Sequence, residues 1–555
     1  MRNTVAGGGS AASAVRGGGA RIGGLGGDTT GPTNLTLTVL GSVTMTGGTV
    51  EHAGAVLGSS LTGGQPTNIV LNVVGGNLTM NPGTVPNSGS RIGSPSTSPQ
   101  GGDISITVGG NITMGGSLTV GALGTVIRTI GGEVTLNAGG AITVAGSVLS
   151  GKQTVSAGGN ITVSATGLSS AVLNASGPQS IVAGGALTLQ GGSAGSDRFA
   201  LILGSGQQTV NAAQITLQGG SGGTNNFAII TGSTQVITSA GHVELRGGQG
   251  VNNNARIGGL GGGGAQDQPT NLTLTAGGNV LLQGANVTGA GAQIGPSGTG
   301  TPAVTNITIT AGQNVILNAG AAAAARIGNG TNGAAGGSII SISAGDSIQL
   351  NGTAQSAVIR TGGNVELHAG STISEAAAGF VVASELTTTS GGDTSLVGPN
   401  QVAVFNGSSV SGNITLNNTS PLLTVTGISQ ASSAALVIAQ VGNLAFTGNA
   451  FSGSQTISAT GDITISPLGG PAGVVSAAGL QTVNAGGGLI VQSSPVGIAQ
   501  LQAGGGQEIH ARYVEVTAGA QIIGGEQLIE TSGKNVAGEG LALRGGLISQ
   551  QVAGG

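Results

Sequence analysis

Histidine is the side chain best suited to acid–base catalysis near neutral pH, and the chain has four of them. Each lies far from the next in the sequence. In a repetitive chain, distant residues meet only where they lie about one repeat apart, and these separations span several repeats. The spacing therefore argues against a histidine-based catalytic group or metal cluster. The four residues are His52, His242, His368 and His510.

The carboxylates give no better candidate for an acid–base pair. Four of the seven aspartates stand in a glycine-rich turn phrase, where hydrogen bonding within the turn is their predicted role. The other three are too scattered for a pair. Residues 23–28 match a calcium-binding nonapeptide once, but the duplicated segment loses the spacing and the aspartate. We therefore predict no catalytic residue, no metal site and no cofactor. The turn aspartates are Asp103, Asp346, Asp393 and Asp462; the others are Asp28, Asp197 and Asp267.

Six of the fourteen basic residues are arginines that recur in two short phrases. On stacked repeats they could form a sparse outward column that contacts acidic glycans or a neighbouring fibre. The alternative is that duplication copied a solvated residue. Arg-Ile-Gly contains Arg21, Arg91, Arg256 and Arg326, and Ile-Arg-Thr contains Arg128 and Arg360.

The composition indicates what kind of fold must hold these residues. Glycine makes up 115 of 555 residues, charged residues 6% and aromatic residues 1%. The apolar residues are Val, Ile, Leu and Ala, which suit a thin core of stacked strands. Glycine lacks the three-residue period of collagen, and no apolar run is long enough for a transmembrane helix. No basic tract indicates a nucleic-acid partner, and the absence of cysteine excludes disulfides.

A turn phrase followed by a short alternating strand recurs along the chain. The phrase is Gly-Gly-Asn followed by apolar, variable and apolar positions, and Gly-Gly-Asn tolerates positive φ. The alternation after it predicts a strand with one buried face. Turn and strand repeated without a helical period indicate a solenoid. The phrase begins at Gly75, Gly109, Gly158, Gly277 and Gly362.

A second phrase, Gln-x-Val or Gln-x-Ile, predicts the length of one coil, here called a rung. Its successive members stand about 26–29 residues apart, both in the middle of the chain and towards its end. Three strand-like pieces fall within one such step. We therefore expect a right-handed, three-sided parallel β-helix of about 16–20 rungs. The phrase begins at Gln153, Gln179, Gln208 and Gln235, and again at Gln455, Gln481 and Gln507.

A larger duplication, with an offset of about 235 residues, predicts the domain organisation. Residues 18–150 and 253–370 form two duplicated blocks with rungs of about 35 residues, whose excess lies in Gly/Ser/Pro loops. Residues 151–252 and 371–555 have shorter rungs. We expect a flexible segment over residues 1–17 and one continuous β-helix over residues 18–555.

The turn phrases resemble the rungs of filamentous-haemagglutinin-like exoproteins of bacterial two-partner secretion. Asn111-Ile112-Thr113 and Asn160-Ile161-Thr162-Val163 carry the resemblance. It implies an exported adhesin or surface fibre and an outer-membrane secretion partner. The family's N-terminal secretion domain, with its Asn-Pro-Asn-Gly type of signal, and a C-terminal anchor are not visible here, so we expect the export signal to lie outside this chain.

These observations together predict a non-enzymatic, extracellular structural or adhesive fibre protein of the bacterial surface. Uncapped rungs at both ends would permit self-association into filaments by strand addition. Host or matrix glycans or proteins are the expected contacts. One alternative is a polysaccharide-binding or polysaccharide-active β-helix. Another is an ice-binding protein, because Thr-x-Thr recurs on one strand face at Thr36, Thr273 and Thr308.

Overall fold

The structure is a computed structural model that describes most of the chain and is all-β. The described residues contain no helix, and 61% of residues are strand. None of the described residues therefore belongs to a helix that could cross a membrane. The described ranges are 19–23, 33–50, 53–58, 66–85, 88–94, 101–116, 124–166, 168–259, 269–296, 302–330, 336–467 and 472–550.

Short strands follow one another along the first half of the described chain. They are β1 (Arg21–Ile22), β2 (Thr33–Val39), β3 (Val43–Thr46), β4 (Val56–Leu57), β5 (Thr67–Val73), β6 (Leu78–Asn81), β7 (Arg91–Gly93), β8 (Ile104–Val108), β9 (Ile112–Met114), β10 (Val126–Arg128), β11 (Glu133–Ala138), β12 (Ile142–Val144), β13 (Ser147–Ser150), β14 (Lys152–Ala157), β15 (Ile161–Ser164), β16 (Ala171–Ala175), β17 (Gln179–Gln190), β18 (Ala200–Gln218), β19 (Ala228–Ser239), β20 (Val243–Arg246), β21 (Ala255–Gly258), β22 (Thr270–Ala276), β23 (Val280–Gln283) and β24 (Ala292–Ile294).

The second half continues the same pattern. Its strands are β25 (Thr305–Ala311), β26 (Val315–Asn318), β27 (Ala325–Gly328), β28 (Ile339–Ala344), β29 (Ile348–Asn351), β30 (Ala357–Arg360), β31 (Asn364–Ala369), β32 (Ile373–Glu375), β33 (Gly379–Ser390), β34 (Thr394–Ser409), β35 (Ile414–Asn418), β36 (Leu422–Ser429), β37 (Ala435–Gln440), β38 (Asn443–Phe446), β39 (Ala450–Ser452), β40 (Ser454–Ala459), β41 (Ile463–Ile465), β42 (Ala472–Ala477), β43 (Gln481–Val491), β44 (Ile498–Ala503), β45 (Gln507–Thr517), β46 (Gln521–Gly524), β47 (Gln527–Thr531), β48 (Leu541–Arg544) and β49 (Leu547–Gln550).

The chain divides into two compact units. Unit 1 comprises Met1–Ile307 and Asn318–Asn332, and unit 2 comprises Thr308–Leu317 and Gly333–Gly555. Within each unit, strands pair in parallel with strands one rung further along. Where strands are short the partners are not consecutive in sequence, whereas the long strand β17 pairs with β18, and β18 pairs with β19. In unit 1, for example, β4 pairs with β7 and β7 with β10, while β5 pairs with β8 and β6 with β9. This repeating parallel arrangement is consistent with a β-solenoid, so the predicted all-β repeat architecture is confirmed.

The strand register tests the predicted rung lengths directly. Arg21 pairs with Val56 and Val56 with Arg91, which gives the predicted long step of about 35 residues. The predicted glutamine steps in unit 1 are also register steps.

The predicted rung length is wrong in two stretches. From Val126 to Ile161 the steps are only about 19–21 residues, although rungs of about 35 residues are predicted for residues 18–150. From Ile373 to Gln455 the steps are about 19–22 residues. No glutamine phrase stands between Ile373 and Gln455 to indicate the shorter steps.

The core is a set of apolar columns that run from rung to rung. In β5 the alternating residues Ile69, Leu71 and Val73 are at most 1% exposed. Because each pairs in register with an apolar residue of the next rung, the columns are continuous. Full burial of such a side chain contributes roughly 1.5–3 kcal/mol. One column of unit 1 contains Ile142, Ile161, Leu187, Ile215, Val243 and Val280, none of which has exposed surface.

Side chains of the turn phrases bond to the turns of the next rung. The Asn77 side-chain oxygen accepts the backbone N–H of Asn111 at 2.8 Å, and the Asn111 oxygen accepts that of Ala141 at 2.7 Å. Such bonds satisfy turn N–H groups that have no strand partner. The role predicted for the turn aspartates is confirmed for Asp103, Asp393 and Asp462, which accept N–H groups in the same way.

The glutamine phrases form buried ladders of amide groups. In unit 1, Nε2 of Gln179, Gln208 and Gln235 donates to Oε1 of the preceding ladder member, each at 2.7 Å. These glutamines are at most 2% exposed. The ladder ends at Gln235, whose Oε1 is buried without a hydrogen-bond partner. In unit 2, Gln455, Gln481, Gln507 and Gln527 form a second ladder with distances of 2.6–2.8 Å.

We expect Gln208→Met to destabilise unit 1 locally, because it keeps most of the volume but removes two ladder bonds. A Gln179 acceptor and a Gln235 donor would be left unpaired, at a cost of about 2–5 kcal/mol. Hydrogen exchange of amides between residues 179 and 237 measures the local opening free energy. Thr209→Ala, on the opposite face of the same strand, is the control. Unchanged exchange in Gln208→Met would contradict a stabilising ladder.

Candidate functional site

The register places four of the recurring arginines in one column, as two pairs separated by rungs that carry no arginine at that position. Arg21 and Arg91 lie at the same strand position, with Val56 between them. Arg256 and Arg326 lie at that position six and eight rungs after Arg91, with Gln293 between them. The Ile-Arg-Thr arginines stand elsewhere, since Arg128 pairs with Gly93 and Leu149, and Arg360 of unit 2 pairs with Val382.

Two of the arginines donate hydrogen bonds to backbone carbonyl groups that follow a strand. For Arg256 this is the arginine's own strand, and for Arg326 it is the strand of the preceding rung. The guanidinium of Arg256 donates to the carbonyl oxygen of Gly259, and Arg256 is only 5% exposed. Arg326 donates to the side chain of Gln293 and to the carbonyl of Pro296, each at 2.9 Å. The outward placement expected from the sequence therefore does not hold for Arg256, because its side chain is buried and bonded to the Gly259 carbonyl.

The first three arginines lie close enough to repel one another. Burial, together with the positive charges of Arg128 and Arg21, lowers the pKa of Arg91 to about 10. Burial also lowers the pKa of Arg128. With a pKa of about 10, the Arg91 guanidinium is still charged at neutral pH, so it adds positive charge beside Arg21 and Arg128.

Three arginines of the set, Arg21, Arg128 and Arg360, have side chains without a hydrogen bond to the part of the chain that the structure describes. Arg21 is exposed, and Arg128 and Arg360 are half-buried. The Nε atom of Arg360 is buried without a partner, and burial lowers the pKa of this side chain.

The other candidate residues named from the sequence, where the structure describes them, take part in turns and strand pairs. His242 accepts the Asn279 N–H through Nδ1 at 2.9 Å, so it fills the turn position of an asparagine. Thr36 pairs with Val70 of the following rung, and Thr273 pairs with Val236 of the preceding rung, so a valine interrupts the threonine row at each of these two points. Within the described residues, no group of three or more His, Asp or Glu could hold a metal. His52, Asp28, Asp267 and most of the nonapeptide match lie outside the described residues.

Unit 2 contains a groove that follows one position of the rung across six successive rungs. The column at its centre is Asn417, Ala439, Ser458, Asn484, His510 and Glu530, each in register with the next. The groove encloses about 1330 Å³. With strands ~4.8 Å apart, five steps make it about 24 Å long. We call this surface the unit 2 groove.

The floor of the unit 2 groove is formed by the residues that follow the column residues in sequence. In three successive rungs this residue is a buried alanine: Ala459, Ala485 and Ala511. In the two rungs before them it is the buried Asn418 and Gln440. The far wall includes the exposed residues Val441, Thr460, Gly486 and Ser532.

The polar side chains of the unit 2 groove are mostly uncharged. Asn417 donates to the Val397 carbonyl at 2.9 Å, and Ser458 donates to the Ile438 carbonyl at 3.2 Å. The Asn484 side chain makes no hydrogen bond to any described residue. At one end, His510 Nδ1 lies 3.0 Å from Glu530 Oε2, and both side chains are substantially exposed.

A buried carboxylate lies behind the other end of the unit 2 groove. Oε2 of Glu375 accepts the Asn400 side-chain N–H at 2.9 Å and the backbone N–H of Gly398, a groove residue, at 3.1 Å. Oε1 is buried without a hydrogen-bond partner. Burial raises the pKa of Glu375 to about 8, although the two hydrogen bonds oppose the shift.

Sequence reasoning missed the unit 2 groove because its residues belong to different phrases. Ser458, Asn484 and His510 each follow a glutamine phrase, at Gln455, Gln481 and Gln507, so these three could have been aligned by spacing alone. Asn417 and Ala439 lie in the short rungs whose length the sequence did not indicate. Comparison with protein-family models, with curated proteins and with solved structures finds no match for this chain.

We expect the stability of unit 2 to fall as pH rises from about 4.5 to about 8, because the folded state holds a proton on Glu375 that the unfolded state releases. Glu375→Gln should remove this fall, with a gain at pH 9 of several kcal/mol at most. Thermal unfolding followed by circular dichroism at pH 5 and pH 9 measures it. Glu366→Gln on the preceding strand is the control. A variant whose pH dependence equals that of the wild type would contradict the assignment.

Proposed function

We propose that this chain is a non-enzymatic, adhesive β-solenoid of the bacterial cell surface. In this proposal each unit is a right-handed parallel β-helix, the chain makes about 16–20 rungs, and it acts outside the cell. The observation that supports the proposal is that several of the few chemically reactive side chains of this chain form hydrogen bonds that stabilise the fold. Asp103, Asp393 and Asp462 are engaged in turns, and the glutamines are engaged in buried ladders.

The polar side chains that face outward on the strands support an adhesive role. Rows of threonine, asparagine and serine face outward on successive strands, as in β22, where Asn271, Thr273 and Thr275 alternate with buried residues. Such rows offer many weak hydrogen bonds over a long surface, and their combined affinity can be high. The resemblance to filamentous-haemagglutinin-like exoproteins favours the same role.

Beads coated with the full chain should be retained on mucin-coated or heparan-sulfate-coated surfaces more strongly than beads coated with albumin. The same protein, mixed with pectin, xylan and soluble glucans, should release no reducing ends. Retention equal to that of albumin beads would overturn the adhesive role, and time-dependent release of reducing ends would overturn the non-enzymatic role.

We propose that the arginines contribute to contact with acidic glycans through Arg128 and Arg360, whose guanidinium groups have no protein hydrogen bonds in the described chain. Exposed charge contacts of this kind weaken as salt is added.

End-to-end strand addition, expected from the sequence, stays a prediction that electron microscopy of the purified chain can test.

We expect the double variant Arg128→Gln, Arg360→Gln to lower retention on immobilised heparin roughly threefold to tenfold at low salt. The difference should shrink in about 0.5 M salt because the contact is screened. Arg246→Gln is the matched control, since Arg246 is exposed but paired with Glu244. If Arg246→Gln weakens retention as much as the double variant, then net charge and not these two residues determines binding.

A further inference from the structure

We propose that the unit 2 groove binds one extended chain of an uncharged, linear polysaccharide, with about one sugar unit on each rung. This inference rests on the proposed adhesive function, since it gives that function a ligand class and a site. It concerns the column Asn417, Ala439, Ser458, Asn484, His510 and Glu530 and not the arginines.

The repeat of the unit 2 groove matches a polymer better than a compact ligand. Six side chains stand in one line at the ~4.8 Å spacing of parallel strands. An extended pyranose chain advances by close to that distance for each sugar. A linear polysaccharide can therefore place about one sugar unit on each rung along the groove.

The side chains of the unit 2 groove suit sugar hydroxyls. Amide, hydroxyl and imidazole groups both donate and accept hydrogen bonds, as sugar hydroxyls do. Asn484, in the middle of the column, has both its amide donor and its acceptor uncommitted among the described residues. The exposed side chains of Val397 and Val441 add apolar surface along the wall, where the C–H faces of pyranose rings can pack.

A peptide ligand fits the unit 2 groove less well. Peptides that bind β-proteins usually add a strand to a free sheet edge. Here the backbone of the column residues is already paired on both sides, as Asn484 is with Ser458 and His510. The groove therefore offers side chains and not backbone groups.

The charge of the unit 2 groove favours a neutral polymer. Of the residues that line it, His510 and Glu530 are the ionisable ones, and they pair with each other at one end. The stretch from Asn417 to Asn484 is uncharged. No positively charged side chain lies along the stretch from Asn417 to Asn484, so an anionic polymer would form no ion pairs along most of its length.

The test uses the full chain and linear, neutral β-1,4-linked oligosaccharides of glucose, xylose and mannose, measured by calorimetry. Affinity should rise with length up to about five or six sugars and then level off, because the groove spans six rungs. Absence of binding by every oligosaccharide, or affinity that is independent of length, would overturn the inference.

Asn484→Ala should weaken binding roughly fivefold to tenfold through the loss of about two hydrogen bonds. Asn211→Ala is the matched control, because Asn211 in unit 1 stands in the same local sequence, Gln-Thr-Val-Asn-Ala, as Asn484. Equal loss in both variants would overturn the assignment to unit 2. Neither side chain has a hydrogen bond in the described residues, so both variants should fold.

A variant that blocks the unit 2 groove tests the proposal without relying on the loss of individual hydrogen bonds. Ala439→Arg places a long side chain across the column between Asn417 and Ser458 and should abolish binding. Val182→Arg, at the corresponding outward position of unit 1, should bind as the wild type does. Binding that survives Ala439→Arg would overturn the inference. Protein that adheres in the bead assay but binds no oligosaccharide would overturn this inference and leave the adhesive function standing.

Discussion

In-register parallel pairing between successive rungs determines the position of nearly every side chain in each unit. A residue meets the residue one rung later at the same strand position, so each column has its own chemistry. Where the column faces inward it is Ile, Val or Leu, as in the column through Ile161 and Leu187. Where it faces outward, any polar residue is tolerated. The fold therefore separates the residues that stabilise it from those that are free to contact a ligand.

The same pairing creates polar positions that must be satisfied. A buried amide such as that of Gln208 is stable only because the next rung supplies another amide in line. Turn N–H groups need an acceptor, which the asparagine, aspartate or histidine of the preceding turn provides. Glu375 shows the cost when a buried polar group is only partly satisfied: Asn400 and Gly398 bond to one oxygen, and the other has no hydrogen-bond partner. The carboxyl consequently retains its proton at neutral pH.

The sequence predicted the features that repeat and missed those that arise from neighbours. The glutamine steps from Gln153 to Gln235 are true register steps, because a buried amide column permits no slip. The turn role of Asp462 was also predictable, since it replaces an asparagine in the same phrase. The half-burial of Arg91 was not, because Arg21 stands in the same phrase and is exposed. The short rungs after Ile373 were missed because they lack the glutamine phrase.

Asn211 and Asn484 show why a binding site in such a fold cannot be read from a local motif. Both occur in Gln-Thr-Val-Asn-Ala, and both face outward. Asn211 lies between Val182 and Thr238, whereas Asn484 lies between Ser458 and His510. The first is a single polar group in a mixed row, and the second is the centre of a hydrogen-bonding row. Since those neighbours lie a full rung away along the chain, a change in rung length would reassign them without altering the motif.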